Sequence, residues 1–211
     1  MLGKTHLAVA VASALAVAQP ENLPILIAGT GAAAVGGLIP DVDVSSSKSH
    51  NQVEHIVALT VGAIVLTVVL DFVAGAGIRA RLMGNANIAK ILIVSLIFIG
   101  ICGYGAQTAH RSFMHSILAC ALLSVCILVL MPKVVPYFAV GYASHLFIDL
   151  FNKRGEKILF PLPSSFCLNL ASSHGVANRL LFIVGSILAG GEFLTFLALN
   201  CTPCQGHFEL V

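Results

Sequence analysis

Charged side chains are scarce in this chain of 211 residues, which has 11 lysines and arginines, 9 acidic residues and a charged fraction of 9%. Soluble domains contain about 25% charged residues, so this composition excludes a soluble enzyme. The net charge is only +2, which leaves no basic surface large enough to bind nucleic acid through its phosphates. Tryptophan is absent and only three tyrosines occur, so the usual aromatic belt of a membrane protein is missing too.

Apolar residues make up 58% of the chain, and the mean hydropathy is +0.98. This composition predicts an all-α, polytopic membrane bundle, and the 19 glycines suit closely packed membrane helices. Seven apolar runs are present, at residues 7–19, 23–39, 56–77, 88–108, 113–131, 134–151 and 180–199. The first two runs are short for the roughly 20 residues that cross a bilayer, so we expect them to form a short N-terminal hairpin.

The chain shows neither a fixed-period repeat nor a domain linker, which predicts one integral-membrane domain over residues 1–211. Polar segments separate the runs at residues 40–55, 78–87, 109–112 and 152–179. Lys4, the first apolar run and Ala16-Val17-Ala18 also resemble a signal peptide. Against that alternative, more membrane helix follows rather than a soluble domain to export.

Ionisable residues cluster at the ends of the apolar runs, where such groups are costly and mark functional sites by default. We call the side of the membrane on which residue 1 lies face A. Because each run carries the chain to the opposite side, the clusters can be assigned by counting crossings. Seven candidate ligands all fall on face A: His6, Asp41, Asp43, His110, His115, His145 and Asp149.

Imidazoles and carboxylates are the ligand types that suit zinc, manganese or iron. His145 and Asp149 lie four residues apart, which places both on one side of a helix. Seven ligands exceed the three or four that one zinc ion takes from protein, so the pattern predicts a site for one or two divalent metals. Taken singly, each cluster also fits a solvated histidine, a turn cap or an internal hydrogen bond.

Arg111 is unfavourable beside a cationic metal unless an anion lies between them. A guanidinium matches phosphate oxygens well, which predicts a phosphate-bearing substrate and a catalytic role for Arg111. We expect His110 or a free carboxylate to accept a proton from a metal-bound water.

Five motifs along the chain resemble those of the YdjM family of bacterial inner-membrane proteins, some of them under SOS (LexA) control. They run in order from residue 3 to about residue 163: Gly3-Lys4-Thr5-His6, Ile39-Pro40-Asp41-Val42-Asp43, His110-Arg111-Ser112-Phe113-Met114-His115-Ser116, Gly141-Tyr142-Ala143-Ser144-His145-Leu146-Phe147-Ile148-Asp149 and Gly155-Glu156-Lys157-Ile158-Leu159-Phe160-Pro161. Two residues differ from the usual pattern, because Met114 and Asn152 stand where threonine is common. In addition, the glutamate often present near the start of the last helix has no counterpart at residues 173–178.

This resemblance implies a multi-pass protein of the bacterial cytoplasmic membrane with a metal-dependent hydrolase centre. The matching residues are His6, Asp41, Asp43, His110, Arg111, His115, His145 and Asp149. The family is also distantly similar to zinc-dependent phospholipases C and single-strand nucleases, which implies phosphoester chemistry.

We therefore expect a metal-dependent hydrolase that acts on a phosphoester of a membrane lipid or a lipid-linked molecule. The alternative is a non-catalytic metal-binding membrane protein, either a divalent-metal transporter or a sensor, since intramembrane histidines and aspartates also mark ion pathways. The ligands gather at helix ends and no inverted repeat is apparent, which favours the hydrolase. More lysines and arginines fall on face A than on the other side, which favours a cytoplasmic site. Oligomeric state stays open.

Overall fold

A computed structural model of the chain describes residues 1–43, 86–170 and 175–200. The described residues form six α-helices and an isolated antiparallel bridge between Glu156 and Phe166, with no strand. The helices are α1 (Gly3–Ala18), α2 (Leu23–Leu38), α3 (Ala86–Gln107), α4 (Ile117–Leu130), α5 (Val135–Leu150) and α6 (Val176–Asn200). Short 3-10 turns at Ile39–Asp43 and Pro132–Val134 follow α2 and α4. The all-helical expectation is therefore confirmed.

The expected count of seven membrane segments is not supported. Within the described residues, three stretches are long and apolar enough to cross a membrane, namely Leu23–Asp43, Ala86–Gln107 and Val176–Asn200. At 1.5 Å per residue, α1 and α4 are only about 24 and 21 Å long, which is less than the roughly 30 Å of a hydrocarbon core. The apolar run at residues 56–77 lies outside the described residues.

The first two helices form the short hairpin that the sequence predicts. α1 and α2 pack against each other and are joined by the four residues 19–22. Asn22 begins α2, because its side-chain oxygen accepts a hydrogen bond from the backbone N–H of Ile25 at 3.0 Å. Pro24 lies in the first turn, where its missing N–H removes no intrahelical bond.

The backbones of α2 and α5 approach each other closely because each helix carries a glycine at the contact. A Cβ on Gly36 would collide with the backbone oxygen of Phe138, and one on Gly141 would collide with that of Ala33. Small residues that let backbones approach are a recurrent device of membrane helices. These two helices also carry four of the predicted site residues at or just beyond their C-terminal ends, so the glycine contact fixes the spacing of the site.

The remaining helices surround this central group. α1 packs against both α2 and α5, α6 packs along α1, α4 packs against α5, and α3 packs against α4. The outer helices are apolar but are little buried. Only 6% of the apolar stretch of α3 and 11% of that of α6 are buried, whereas 39% of the stretch that contains α2 is buried. Apolar surfaces of this kind are expected to face lipid.

Candidate metal centre

Four separate parts of the chain bring the predicted residues to one end of the bundle. His6 lies in the second turn of α1, and Asp41 and Asp43 lie in the 3-10 turn after α2. His145 and Asp149 occupy successive turns at the end of α5. The loop between α3 and α4 supplies His110, Arg111 and His115.

Hydrogen bonds hold the loop between α3 and α4 against its neighbours. The Tyr142 hydroxyl donates to the backbone oxygen of Met114, next to His115. Ser116 then caps α4 by accepting a hydrogen bond from the N–H of Ala119 at 3.2 Å. The N–H of Lys157 donates to the carbonyl of Arg111 at 3.0 Å, which ties this loop to the segment after α5.

Three histidine rings converge in the buried interior of this end. The rings of His6 and His145 stack with their centroids 3.8 Å apart, and the rings of His115 and His145 meet edge to face at 5.3 Å. All three side chains are fully buried. The Nε2 atoms of His115 and His145 are buried and make no hydrogen bond within the described residues, and neither does His6 Nδ1. Buried polar atoms are rarely left in this state, so the cluster requires an explanation.

The tautomers of two of these rings are fixed from the opposite side. His145 Nδ1 lies 2.7 Å from the carbonyl oxygen of Gly37, so this nitrogen must carry the proton. His115 Nδ1 lies 3.1 Å from Asp43 Oδ2, which favours the same tautomer. Both Nε2 atoms are therefore left with a lone pair directed into the cluster. This is the arrangement of metal-ligating histidines whose second nitrogen is held by a carbonyl or a carboxylate.

Two carboxylates face the same Nε2 atoms. Asp41 Oδ1 lies 3.7 Å from His145 Nε2 and 4.0 Å from His115 Nε2. Asp149 Oδ1 lies 3.1 Å from His6 Nε2, and Asp149 Oδ2 lies 3.9 Å from His115 Nε2. In the described residues, two groups of potential ligands cover this pocket, namely His6, Asp41 and His145, and His115, His145 and Asp149. We call these five residues the central cluster.

A third group of potential ligands, Asp43, His110 and His115, lies on the other side of the His115 ring. Asp43 accepts three hydrogen bonds: from His110 at 2.7 Å, from His115 at 3.1 Å and from the backbone N–H of Arg111 at 2.9 Å. The described geometry thus makes Asp43 an anchor for two imidazoles. His110 is the most exposed of the four site histidines, with 34% of its side chain accessible.

Arg111 is buried, and its guanidinium contacts other residues of the chain. Its Nη2 lies 2.6 Å from Asp149 Oδ2, and its Nη1 donates to the backbone oxygen of Arg154. The residue is only 9% exposed, and its φ of 64° lies in the left-handed region that side-chain-bearing residues rarely adopt. Strained backbone of this kind concentrates at functional sites. Arg111 thus directly contacts the aspartate of the central cluster.

A family model described as the YdjM inner membrane protein matches residues 1–207 of the chain. The chain belongs to this family. It is a multi-pass protein of the bacterial inner membrane, in agreement with its three candidate membrane spans. It is also similar to the uncharacterized protein YvsG of Bacillus subtilis (strain 168), with 27% identity over 200 residues, which cover 93% of this chain and 96% of that protein. No solved structure matches the chain.

Asn152, one of the two residues that differ from the usual family pattern, contacts the central cluster through Asp149. Its side-chain N–H donates to Asp149 Oδ1 at 2.7 Å. The Met1 amino group lies 2.6 Å from the same oxygen. Met114, the other departure, is fully buried against Gly105 and belongs to the apolar core. Asn152 therefore retains a polar contact to the site, whereas Met114 contributes packing.

Sequence reasoning missed Glu156, which lies in the segment after α5. Its side chain is fully buried, and neither carboxyl oxygen has a hydrogen-bond partner among the described residues. Arg111 Nη1 lies 3.9 Å from Oε1. Burial, reinforced by the nearby Asp149 carboxylate, raises the pKa of Glu156 to about 8, although the Arg111 guanidinium opposes the shift. In the sequence, Glu156 is distinguished only as one of nine acidic residues and by its basic neighbours.

Proposed function

We propose that the chain is a membrane-embedded, metal-dependent hydrolase whose metal is held by the central cluster of His6, Asp41, His115, His145 and Asp149. The observation that carries the proposal is the convergence of three buried Nε2 atoms on two carboxylates, where those of His115 and His145 have no hydrogen-bond partner in the described residues. Leaving such atoms without partners in a dry interior is unfavourable. A divalent cation would satisfy all three at once.

The donor set fits zinc, manganese or iron, and its five members leave room for one or two ions. When bound, such a metal supplies Lewis acidity and lowers the pKa of a coordinated water towards neutrality. The chain's own residues do the rest. Asp43 orients His115 by accepting its Nδ1–H, and the Gly37 carbonyl does the same for His145.

His110 is the group we assign to proton transfer. Asp43 Oδ1, 2.7 Å from His110 Nδ1, favours the tautomer with its proton on Nδ1 and leaves Nε2 to take or release a proton. Its partial exposure allows exchange with solvent, unlike the buried rings of the central cluster. A correctly placed general base typically contributes about 10²–10⁴-fold in rate.

Arg111 is assigned a positioning role, because its guanidinium contacts Asp149 rather than open space. By pairing with Oδ2, it limits the rotation of the carboxylate and balances part of the negative charge of the three aspartates. Asp149 also contacts the Met1 amino group, so removal of the Arg111 guanidinium would weaken the compensation of this buried charge rather than abolish it.

The substrate class that we favour is a phosphoester of a lipid or a lipid-linked molecule. The cluster lies at the helix ends of a protein whose outer helices expose apolar side chains, which supports a substrate drawn from the membrane. The family resemblance to phosphoester hydrolases supports the same class.

The rival is a non-catalytic metal-binding protein, and His110→Ala separates the two functions. In a hydrolase, this change should retain metal while slowing the hydrolysis of a phospholipid or lipid pyrophosphate by about 10²-fold or more. His145→Ala should lose both metal and activity, and Lys133→Gln, at the opposite end of the bundle, should lose neither. Metal flux into liposomes that His145→Ala abolishes, without hydrolysis of any lipid phosphate, would establish the rival instead.

A further inference from the structure

A phosphate-bearing substrate needs cationic donors, and Arg111 is poorly placed to provide them. Two of its nitrogens contact Asp149 and Arg154, and the third, Nε, is buried without a hydrogen-bond partner in the described part of the chain. Its guanidinium would have to leave a buried ion pair before meeting a substrate. Recognition of the phosphate therefore calls for a different pair of cations near the same end of the bundle.

A cavity of about 370 Å³ lies where the start of α1 meets the start of α6. Lys4 and Arg179 both line it, both are exposed, and no acidic side chain is among its described lining residues. Lys4 Nζ lies 5.0 Å from the ring centroid of Phe182, which also lines the cavity. This cation–π contact favours placement of the ammonium group at the cavity wall.

The first turn of α6 completes the lining. Gly175, Val176 and Asn178 contribute to the wall, at the positive end of a helix of 25 residues. Backbone N–H groups at such an end are without intrahelical partners and favour an anion. Asn178 is buried and fixed, because its side-chain oxygen accepts a hydrogen bond from the N–H of Leu2 at 3.2 Å.

The cavity adjoins the candidate metal centre through the first residues of the chain. Leu2 lines the cavity, and the amino group of the preceding Met1 lies 2.6 Å from Asp149 of the central cluster. It also lies at the end of a candidate membrane span, where lipid headgroups are found. A group held in the cavity would therefore be at membrane-surface depth and next to the central cluster.

A cavity at the opposite end of the bundle provides the contrast. Lys133 and Glu21 both line it, and their charged groups lie 3.0 Å apart. Its cation therefore already has a carboxylate partner. By comparison, no ion pair is present at Lys4 or Arg179 among the described residues.

We infer that the cavity between α1 and α6 is an anion site that binds the phosphate of the substrate's headgroup through Lys4, Arg179 and the first turn of α6. This inference rests on the proposed function in taking the bound phosphate to belong to the substrate. The recognised group is a phosphate, which can belong to a lipid phosphate monoester or be free inorganic phosphate. Binding of phosphatidic acid and of inorganic phosphate distinguishes these two sources.

The test measures binding to the full chain, purified in an uncharged detergent, by isothermal titration calorimetry. The probes are short-chain phosphatidic acid, short-chain phosphatidylcholine and inorganic phosphate. The test variant is Lys4→Gln/Arg179→Gln, and the matched control is Lys90→Gln/Lys133→Gln, which removes the same charge from exposed positions away from the cavity. Metal content is measured on the same samples.

We expect saturable binding of phosphatidic acid that weakens by about 30-fold in the test variant, at roughly 1 kcal/mol for each cation, and that is unchanged in the control. Inorganic phosphate with the same dependence would show that phosphate alone is recognised, whereas binding of phosphatidic acid alone would assign the site to a lipid headgroup. Equal affinity in the test variant and the wild type, absence of saturable binding, or equal binding of phosphatidylcholine would overturn the inference.

Failure of this inference and failure of the proposed function give different results. If the wild type contains metal but its phosphate affinity is unchanged in the Lys4→Gln/Arg179→Gln variant, the anion site is refuted and the proposed hydrolase is not. Absence of metal, together with phosphate binding that depends on Lys4 and Arg179, refutes the hydrolase and leaves the anion site standing. Phosphate bound at the metal would not depend on these two cations.

Discussion

The two ends of the helical bundle both carry ion pairs, and the pairs differ sharply in burial. At one end, Lys133 and Glu21 lie 3.0 Å apart with 66% and 70% of their side chains exposed. At the other end, Arg111 and Asp149 lie 2.6 Å apart with only 9% and 3% exposed. An exposed pair contributes about 0–1 kcal/mol, whereas a buried one carries a desolvation penalty of several kcal/mol. The buried end therefore maintains a costly arrangement that simple packing would not require.

In a chain with so few charges, the buried polar end of the bundle is the better candidate for a functional site. The exposed end uses its charges as ordinary surface groups. The buried end surrounds three aspartates with histidines, an arginine and an asparagine, yet leaves ring nitrogens of His6, His115 and His145 without hydrogen bonds in the described residues. The metal ion that we propose would satisfy these nitrogens, and the following predictions test the difference between the two ends.

Breaking the buried ion pair should have the largest effect on stability. Arg111→Gln removes one of the cations that contact Asp149, while the Met1 amino group still contacts it, so we expect the free energy of unfolding to fall by about 1.5–3 kcal/mol. Lys133→Gln at the exposed end should cost at most about 1 kcal/mol. Thermal unfolding followed by circular dichroism in detergent compares the two variants. Equal melting temperatures would remove the distinction between the ends.

Separating α2 from α5 should destabilise the site end through packing alone. Gly36→Ala places a methyl group against the backbone oxygen of Phe138, and overpacking of this kind costs about 1–3 kcal/mol. Gly31→Ala is the matched control on the same helix, because nothing lies within 4 Å of its Cβ position. The control should be neutral or stabilising by about 0.5–1 kcal/mol.

Metal content of the two glycine variants, measured together with their thermal unfolding, extends this test. Because α2 leads to Asp41 and α5 carries His145, Gly36→Ala should also reduce bound metal, whereas Gly31→Ala should not. Retention of metal in a destabilised Gly36→Ala protein would show that the spacing of these helices does not set the geometry of the site.

The smallest effect concerns Glu156 and appears only as a dependence on pH. The pKa of Glu156 is raised to about 8 in the folded chain from an ordinary value of 4.5, so the folded state holds a proton that the unfolded state releases. This contribution to stability is complete below pH 4.5 and is lost as the pH rises towards 8. Glu156→Gln cannot ionise and should lose less stability than the wild type over that range. Parallel melting curves from pH 5 to pH 8 would contradict the assignment.

Much of the fold follows from the sequence because apolar runs map directly onto helices. The α1–α2 hairpin was predictable from two short apolar runs, and the helical placement of His145 and Asp149 from their spacing of four residues. The number of membrane-spanning segments was not, because run length alone does not separate a short packed helix such as α4 from a true span. Residues 56–77, counted as one of the seven segments, lie outside the described residues.

The composition of the site was predictable for a different reason. Histidine and aspartate are costly near a membrane, so the assignment of seven such residues to face A by counting crossings predicted a common location. The direction of each side chain was not predictable, because it depends on contacts between distant segments. Arg111, expected to face a phosphate, is instead directed at Asp149, and Glu156 was missed because its burial depends on the fold of the segment after α5.

Metal analysis of the purified wild-type protein and of His145→Ala tests the central claim most directly. Both proteins are purified without chelators and measured by inductively coupled plasma mass spectrometry, with Lys133→Gln as the control from the exposed end. We expect about one or two divalent ions per chain in the wild type and the control, and almost none in His145→Ala. A wild-type protein without stoichiometric metal, or a His145→Ala protein that retains it, would show that the central cluster is not the metal site.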